Sequence, residues 1–115
     1  MLAENHRKAA ESIEKGVAKL QPDADPTMGR LAIEAAWGAA FHWIAFGCET
    51  RHHQHKNNHT RLGRFLRDLG EENAAGLWER LDARRQGGWY GGEPEPAEVQ
   101  SALALLEQIR SWAVP

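Results

Sequence analysis

The sequence predicts an all-α fold, a single-domain bundle of about five helices in up-and-down style, with two long antiparallel helices and shorter ones packed on them. Three observations predict it. Apolar residues recur at intervals of three and four in five separate stretches, prolines and glycine pairs fall between those stretches, and no run alternates apolar with polar residues as a half-buried strand would. The chain of 115 residues suits one core, so residues 1–115 are read as one domain, and a composition 42% hydrophobic and 26% charged is that of a chain that folds.

The first helix is expected over residues 4 to 20, where Ala9, Ile13, Val17 and Leu20 share a face and Glu4, Lys8, Glu11, Lys15 and Lys19 lie largely on the others. Two prolines and two aspartates end it, and either Asp25 or Thr27 is placed to cap the next. The second helix, about 27 to 49, carries Leu31, Ile33, Trp37, Phe41, Trp43, Ile44 and Phe46 with little polar face. A helix apolar nearly all round is buried on most sides, either at the centre of a bundle or between two chains. Gly38, Ala39 and Ala40 would allow a neighbour to approach closely. Its polar exceptions are Glu34, expected to pair with Arg30 one turn earlier, and His42, expected to be a hydrogen-bonded core histidine.

Residues 49 to 59 show no apolar periodicity and read as a loop or a solvated continuation of that helix. Asn57 or Asn58 is expected to cap a third helix with the stripe Leu62, Phe65, Leu66 and Leu69 and a stop at Gly70. The fourth helix, about 71 to 85, opens with Glu71 and Glu72, the favourable charge for a helix N-terminus, and is expected to end at Gly87 and Gly88. Its stripe is Ala74, Leu77, Trp78 and Leu81, and the next positions on that face are Arg84 and Arg85. Arginine is almost never fully buried without a partner, so a core stripe that runs into two arginines suggests a lined groove or a partner surface. Pro96 suits the first turn of a last helix carrying Val99, Ala102, Leu103, Leu106, Ile109 and Trp112.

Composition narrows the chemistry. A single cysteine, Cys48, permits no internal disulfide, so a cytoplasmic location is the expectation. The first fifteen residues lack the apolar centre of a signal peptide, and no apolar run is expected to reach the roughly 18 residues that cross a membrane. The net charge of -2 does not itself point to nucleic acid, but Arg51, Lys56, Arg61, Arg64 and Arg67 fall in a stretch without Asp or Glu. Arginines three apart on one helix form a surface able to neutralise phosphates, or else a solvated face balanced by acidic residues elsewhere. His52, His53, His55 and His59 lie in the same stretch, with His55 and His59 at a spacing that would share a helix face. No cysteine or carboxylate accompanies them, so they read as a solvated junction rather than a metal site, and no metal or other cofactor is expected. Cys48 reads as a small core residue rather than a nucleophile.

The run from Leu81 through Arg84, Arg85, Gln86, Gly87, Gly88, Trp89 and Tyr90 to Gly92 follows a short basic helix and precedes a final amphipathic one. With His55-Lys56-Asn57-Asn58-His59 ahead of the third helix, it resembles the HEPN domain family (higher eukaryote and prokaryote nucleotide-binding), firmly from about residue 50 to 113. The resemblance implies a homodimer with an Arg and a His, four to six residues apart, facing a shared cleft. It also implies nucleotide or RNA binding, in some members metal-independent endoribonuclease or toxin action, and in some a minimal nucleotidyltransferase as partner. The motif Arg corresponds to Arg85, with Arg84 as the alternative, and Gln86 to the polar residue after it. The motif His position holds Tyr90, as in one branch of the family. A phenol is a poor base near neutrality, which weakens the case for cleavage, though Tyr90 can donate a hydrogen bond or stack a base. The candidate site is therefore Arg85 and Tyr90, with Arg84, Arg85, Gln86, Lys56, Arg61 and Arg64 contacting RNA or nucleotide. The alternative is a non-catalytic helical adaptor or antitoxin-like protein that assembles through the second helix.

Overall fold

The computed structural model describes residues 1–22, 25–90 and 94–115 and, for Pro26 and residues 87–90, the backbone alone. It contains α1 (Ala3–Val17), α2 (Pro26–His52), α3 (Leu62–Asp68), α4 (Glu72–Tyr90) and α5 (Pro96–Ala113), and no strand among the described residues. Helix α2 is the axis of the bundle: α1, α4 and α5 all pack on it, α5 also packs on α4, and α3 rests on α4. At 1.5 Å per residue its 27 residues span about 40 Å, which accounts for the 41 Å long axis of the molecule.

The start of α2 is fixed by Asp25, whose carboxylate accepts the Thr27 N–H at 2.9 Å, with Pro26 in the first turn. Along it Ala32, Ile33, Ala36, Ala39, Ala40, Trp43, Ile44 and Cys48 are all buried. Contrary to the expectation from apolar runs, Thr27–His52 is long and apolar enough to cross a membrane. Burial of 56% of its most apolar window inside the bundle is what a core helix also gives. The residues that admit a close neighbour are Gly29 and Gly47 more than Gly38. A Cβ at Gly47 would stand 2.5 Å from Cζ3 of Trp112 and one at Gly29 3.2 Å from Cγ2 of Val99, whereas one at Gly38 would meet only Ile13 at 3.8 Å. Gly29 and Gly47 are five helical turns apart and so lie on one line, along which α5 is seated.

Helix α1 ends at Val17, short of the expected 20, and its most buried residues include His6, 1% exposed. Helix α3 also differs. Neither asparagine caps it, because the Asn57 side chain accepts from His6 and the Asn58 side chain turns back to the Thr60 N–H. The helix starts instead after Arg61, which takes the left-handed conformation at φ 55, and so Arg61 lies outside it. Gly70, at φ 83, closes this segment as expected.

Helix α4 continues through Gly87 and Gly88 to Tyr90. Glycine disfavours a helix by about 1 kcal/mol relative to alanine but does not forbid helical angles. Its predicted stripe holds, with Ala74, Leu77, Trp78 and Leu81 at most 3% exposed. In α5, Val99, Ala102, Leu106 and Ile109 are buried as the spacing predicts.

Candidate functional site

The apolar face of α4 passes into a polar cluster shared with α2. Arg85 Nε donates to Glu34 Oε1 at 2.8 Å, and the guanidinium lies over the Trp37 ring, 4.1 Å from its centroid. Three residues earlier on α4, Asp82 accepts from Trp37 Nε1 at 2.9 Å and from Gln86 Nε2 at 3.4 Å. Glu34 and Trp37 are adjacent on α2, and Asp82 and Arg85 on α4, at the three-residue spacing that puts side chains on one face. Two cross-ties therefore lock the helices together. Glu34 is expected from spacing to pair with Arg30 on its own helix; the partner that joins it to α4 is Arg85. The ring of His59, from the loop before α3, stands 5.0 Å from the same indole and steeply inclined to it, and Trp78 packs at 5.4 Å.

The candidate residues fare differently. Arg85 retains 29% side-chain exposure, and among the described residues its hydrogen bonding engages only Nε, with no partner at either Nη. Arg84 is half-buried, and its Nε meets no hydrogen-bond acceptor among the described residues. Gln86 is exposed. The side chain of Tyr90 lies outside the described residues, as do those of Trp89 and the glycines around them. On a continuous helix, positions 85 and 90 are separated by about 140° around the axis.

The basic strip is thinned by internal pairing. Arg67 donates Nη2 to Glu79 Oε1 at 2.8 Å and Nε to Glu72 Oε2 at 3.1 Å. The hydrogen bond to Glu79 raises the Arg67 pKa further, and the same bond lowers that of Glu79. Lys56 Nζ donates to the Thr60 carbonyl. Arg61 and Arg64 are exposed, and neither forms an ion pair with a described residue.

The histidines form no common site. His52 faces Glu71 at 3.3 Å, His55 bonds to the Met1 carbonyl at 2.9 Å, and His59 lies on Trp37. No group of three or more His, Cys, Asp or Glu side chains among the described residues could hold a metal ion. The histidines that do meet are His6 and His42, Nδ1 to Nδ1 at 2.9 Å, with His6 Nε2 at 2.9 Å from Asn57 Oδ1 and the His55 ring 5.1 Å from that of His6. Burial lowers the pKa of both His6 and His42. Cys48 is fully buried, and its thiol is pushed up to about 12, mainly by burial, which fits a packing residue and not a nucleophile.

The sequence reading overlooked His6, Glu34 as a partner of α4, and Trp37 as a platform. His6 had a signal, since it lies four and seven residues ahead of Ala10 and Ile13 on the buried stripe of α1. Trp37 had none, because its neighbours come from α4 and from the loop before α3. Compared with known protein families, curated proteins and solved structures, the chain matches none.

Proposed function

We propose that the chain is a nucleotide- or RNA-binding domain of the HEPN kind, and that it binds phosphate at the Arg85 end of α4. The observation that carries this reading is the presentation of Arg85: a partly exposed guanidinium, anchored through Nε by Glu34, set over an indole, with its Nη groups unengaged by any described residue. A fork held in one plane is suited to a phosphate, because little conformational freedom remains to be lost on binding. Arg61, exposed and two residues beyond His59 in the chain, forms no ion pair with a described residue, and Arg64 follows it on α3.

A homodimer belongs to the same proposal. Leu31, 54% exposed, lies three residues ahead of Glu34 and gives the site an apolar neighbour on which a second copy can settle. The adaptor alternative has less to draw on, since α2 spends Ile33, Trp43 and Ile44 in this chain's own core.

The test is binding of a labelled single-stranded RNA by fluorescence anisotropy across a salt series. Arg85→Ala should weaken binding about tenfold and reduce the slope of log K against log salt by about 0.7, as expected for one lost phosphate contact on a single strand. Equal binding by parent and variant at every salt concentration would sink this assignment.

A further inference from the structure

The loop over residues 53–61 begins and ends on the two non-glycine residues of positive φ among the described residues, His53 at 58 and Arg61 at 55. Left-handed backbone at such residues costs on the order of 1 kcal/mol each and persists only where the surroundings hold it. Here they do. Thr60 N–H donates to Asn58 Oδ1 at 3.1 Å, Lys56 Nζ donates to the Thr60 carbonyl, and His6 binds Asn57 at 2.9 Å. What this pinned loop delivers is His59, exposed to solvent, with its ring against the indole that carries Arg85. Among the described residues the charged groups that touch that indole are Asp82 at its Nε1 and Arg85 over its face, with Glu34 holding Arg85 from α2; Lys56 and Arg61 lie in the loop that carries His59.

An imidazole and a guanidinium thus share one platform, both reachable from solvent. Position 90, by contrast, is turned about 140° from position 85 along α4. Imidazole is the side chain suited to moving a proton near neutral pH, and a positioned general base contributes roughly 10²- to 10⁴-fold to a rate.

Resting on the RNA-binding reading above, we propose that His59, and not Tyr90, is the proton acceptor for cleavage of RNA at the Arg85 site. The His59 ring takes the proton of a ribose 2′-hydroxyl as that oxygen forms a bond to the adjacent phosphorus. The bond from phosphorus to the 5′-oxygen breaks, the leaving oxygen takes a proton from water, and the imidazolium returns its proton to solvent. The products are a 2′,3′-cyclic phosphate and a 5′-hydroxyl end. The Nη donors of Arg85 face the charge that builds on the phosphoryl oxygens, while Glu34 and Asp82 hold Arg85 and Trp37 in register.

The experiment incubates the full chain with a short single-stranded RNA in the presence of EDTA, following binding by anisotropy, cleavage on a gel and the end groups by mass spectrometry. The parent should cut the RNA and leave cyclic phosphate ends. His59→Ala should slow cleavage by about 100-fold or more with affinity kept within about twofold, and a loss of that size in Tyr90→Phe instead would overturn the assignment and return the proton-acceptor role to position 90. The rising limb of log rate against pH should be present in the parent and lost in the variant. His59→Gln, which keeps a polar planar side chain on the indole, should be equally slow; thermal melting of both variants checks the fold. RNA bound but not cut by the parent overturns the assignment of His59, as does His59→Ala cutting as fast as the parent. If the parent binds no RNA, the nucleic-acid reading itself falls, and this proposal with it.

Discussion

The Nδ1 atoms of His6 and His42 lie 2.9 Å apart, so one ring must carry the hydrogen there and the other must offer a lone pair. Asn57 decides which. Its Oδ1 can only accept, and it faces both His6 Nε2 and the Met1 ammonium, so the His6 hydrogen belongs on Nε2 and His42 donates through Nδ1. A proton added to His6 Nδ1 forces His42 to change tautomer, one added to His42 Nε2 leaves the bond in place, and two put N–H groups face to face. Around this pair stand His55, itself facing Glu49 at 3.5 Å, and the charged N-terminus.

The pH dependence of stability follows from that arrangement. Burial lowers both pKa values below the ordinary 6.5, and the unfolded chain therefore takes up protons that the native chain refuses. The native state keeps its full advantage above pH 6.5 and loses it as the pH falls from there through the depressed folded values. Urea midpoints should be flat from pH 8 to about 7 and decline below about 6.5. In the double variant His6→Gln, His42→Gln that decline should be much reduced between about pH 6.5 and 5, before the carboxylates titrate.

Glycines in this bundle should respond to alanine with opposite signs. At Gly47 the new Cβ meets a Trp112 ring that cannot retreat, since its Nε1 is bonded to Glu71 at 3.0 Å and Arg51 covers its face. Overpacking of about 1–3 kcal/mol should outweigh a propensity gain of about 1, so Gly47→Ala destabilises. Gly76, in the interior of α4 with nothing within 4 Å of its would-be Cβ, lacks that penalty. Gly76→Ala should stabilise by up to about 1 kcal/mol. Chemical denaturation of the two variants beside the parent checks both signs.

Cys48 offers a probe of opening. With the thiol buried and its pKa pushed up to about 12, chiefly by burial and then by Glu71, alkylation of the native chain requires local or global unfolding. The iodoacetamide reaction at about pH 8 should therefore accelerate with urea in step with the unfolded fraction. Rapid labelling of the native protein, at the rate of a free thiol, would contradict the packing of α2 against its neighbours.

The helices were legible because apolar spacing records which faces are buried: Leu77, Trp78 and Leu81 on α4, and Val99, Ala102, Leu106 and Ile109 on α5, fall where spacing puts them. Helix ends were less legible. Asn57 has the composition of a cap, but its side chain is drawn to His6 from a helix 51 residues away in the chain, and no local pattern encodes that. The candidate site was half legible. Two arginines following a core stripe marked Arg85, whereas the platform and the carboxylates that hold it come from α2 and from Asp82, a residue that reads locally as a solvated helix position.

The thinned basic strip yields the remaining prediction. Arg67 is the member of the Arg61, Arg64, Arg67 series that is withdrawn from solution chemistry, because Glu79 binds it by two contacts and Glu72 by a third. Glu79 reaches Arg67 by crossing α3 at Gly63, where a Cβ would lie 2.6 Å from its Oε2. An ion pair this exposed adds little to stability, so loosening it should barely move the melting temperature. It should, however, return a cation to the strip. If α3 contacts RNA phosphates, Glu79→Gln should tighten RNA binding severalfold at low salt and steepen the salt slope by about 0.7, the signature of one more phosphate contact on a single strand. Gly63→Ala should act in the same direction by displacing the Glu79 carboxylate. Anisotropy titrations of both variants at several salt concentrations make the measurement. Unchanged affinity and slope in Glu79→Gln would mean that the ligand does not run along α3, and would confine binding to the Arg85 end of α4.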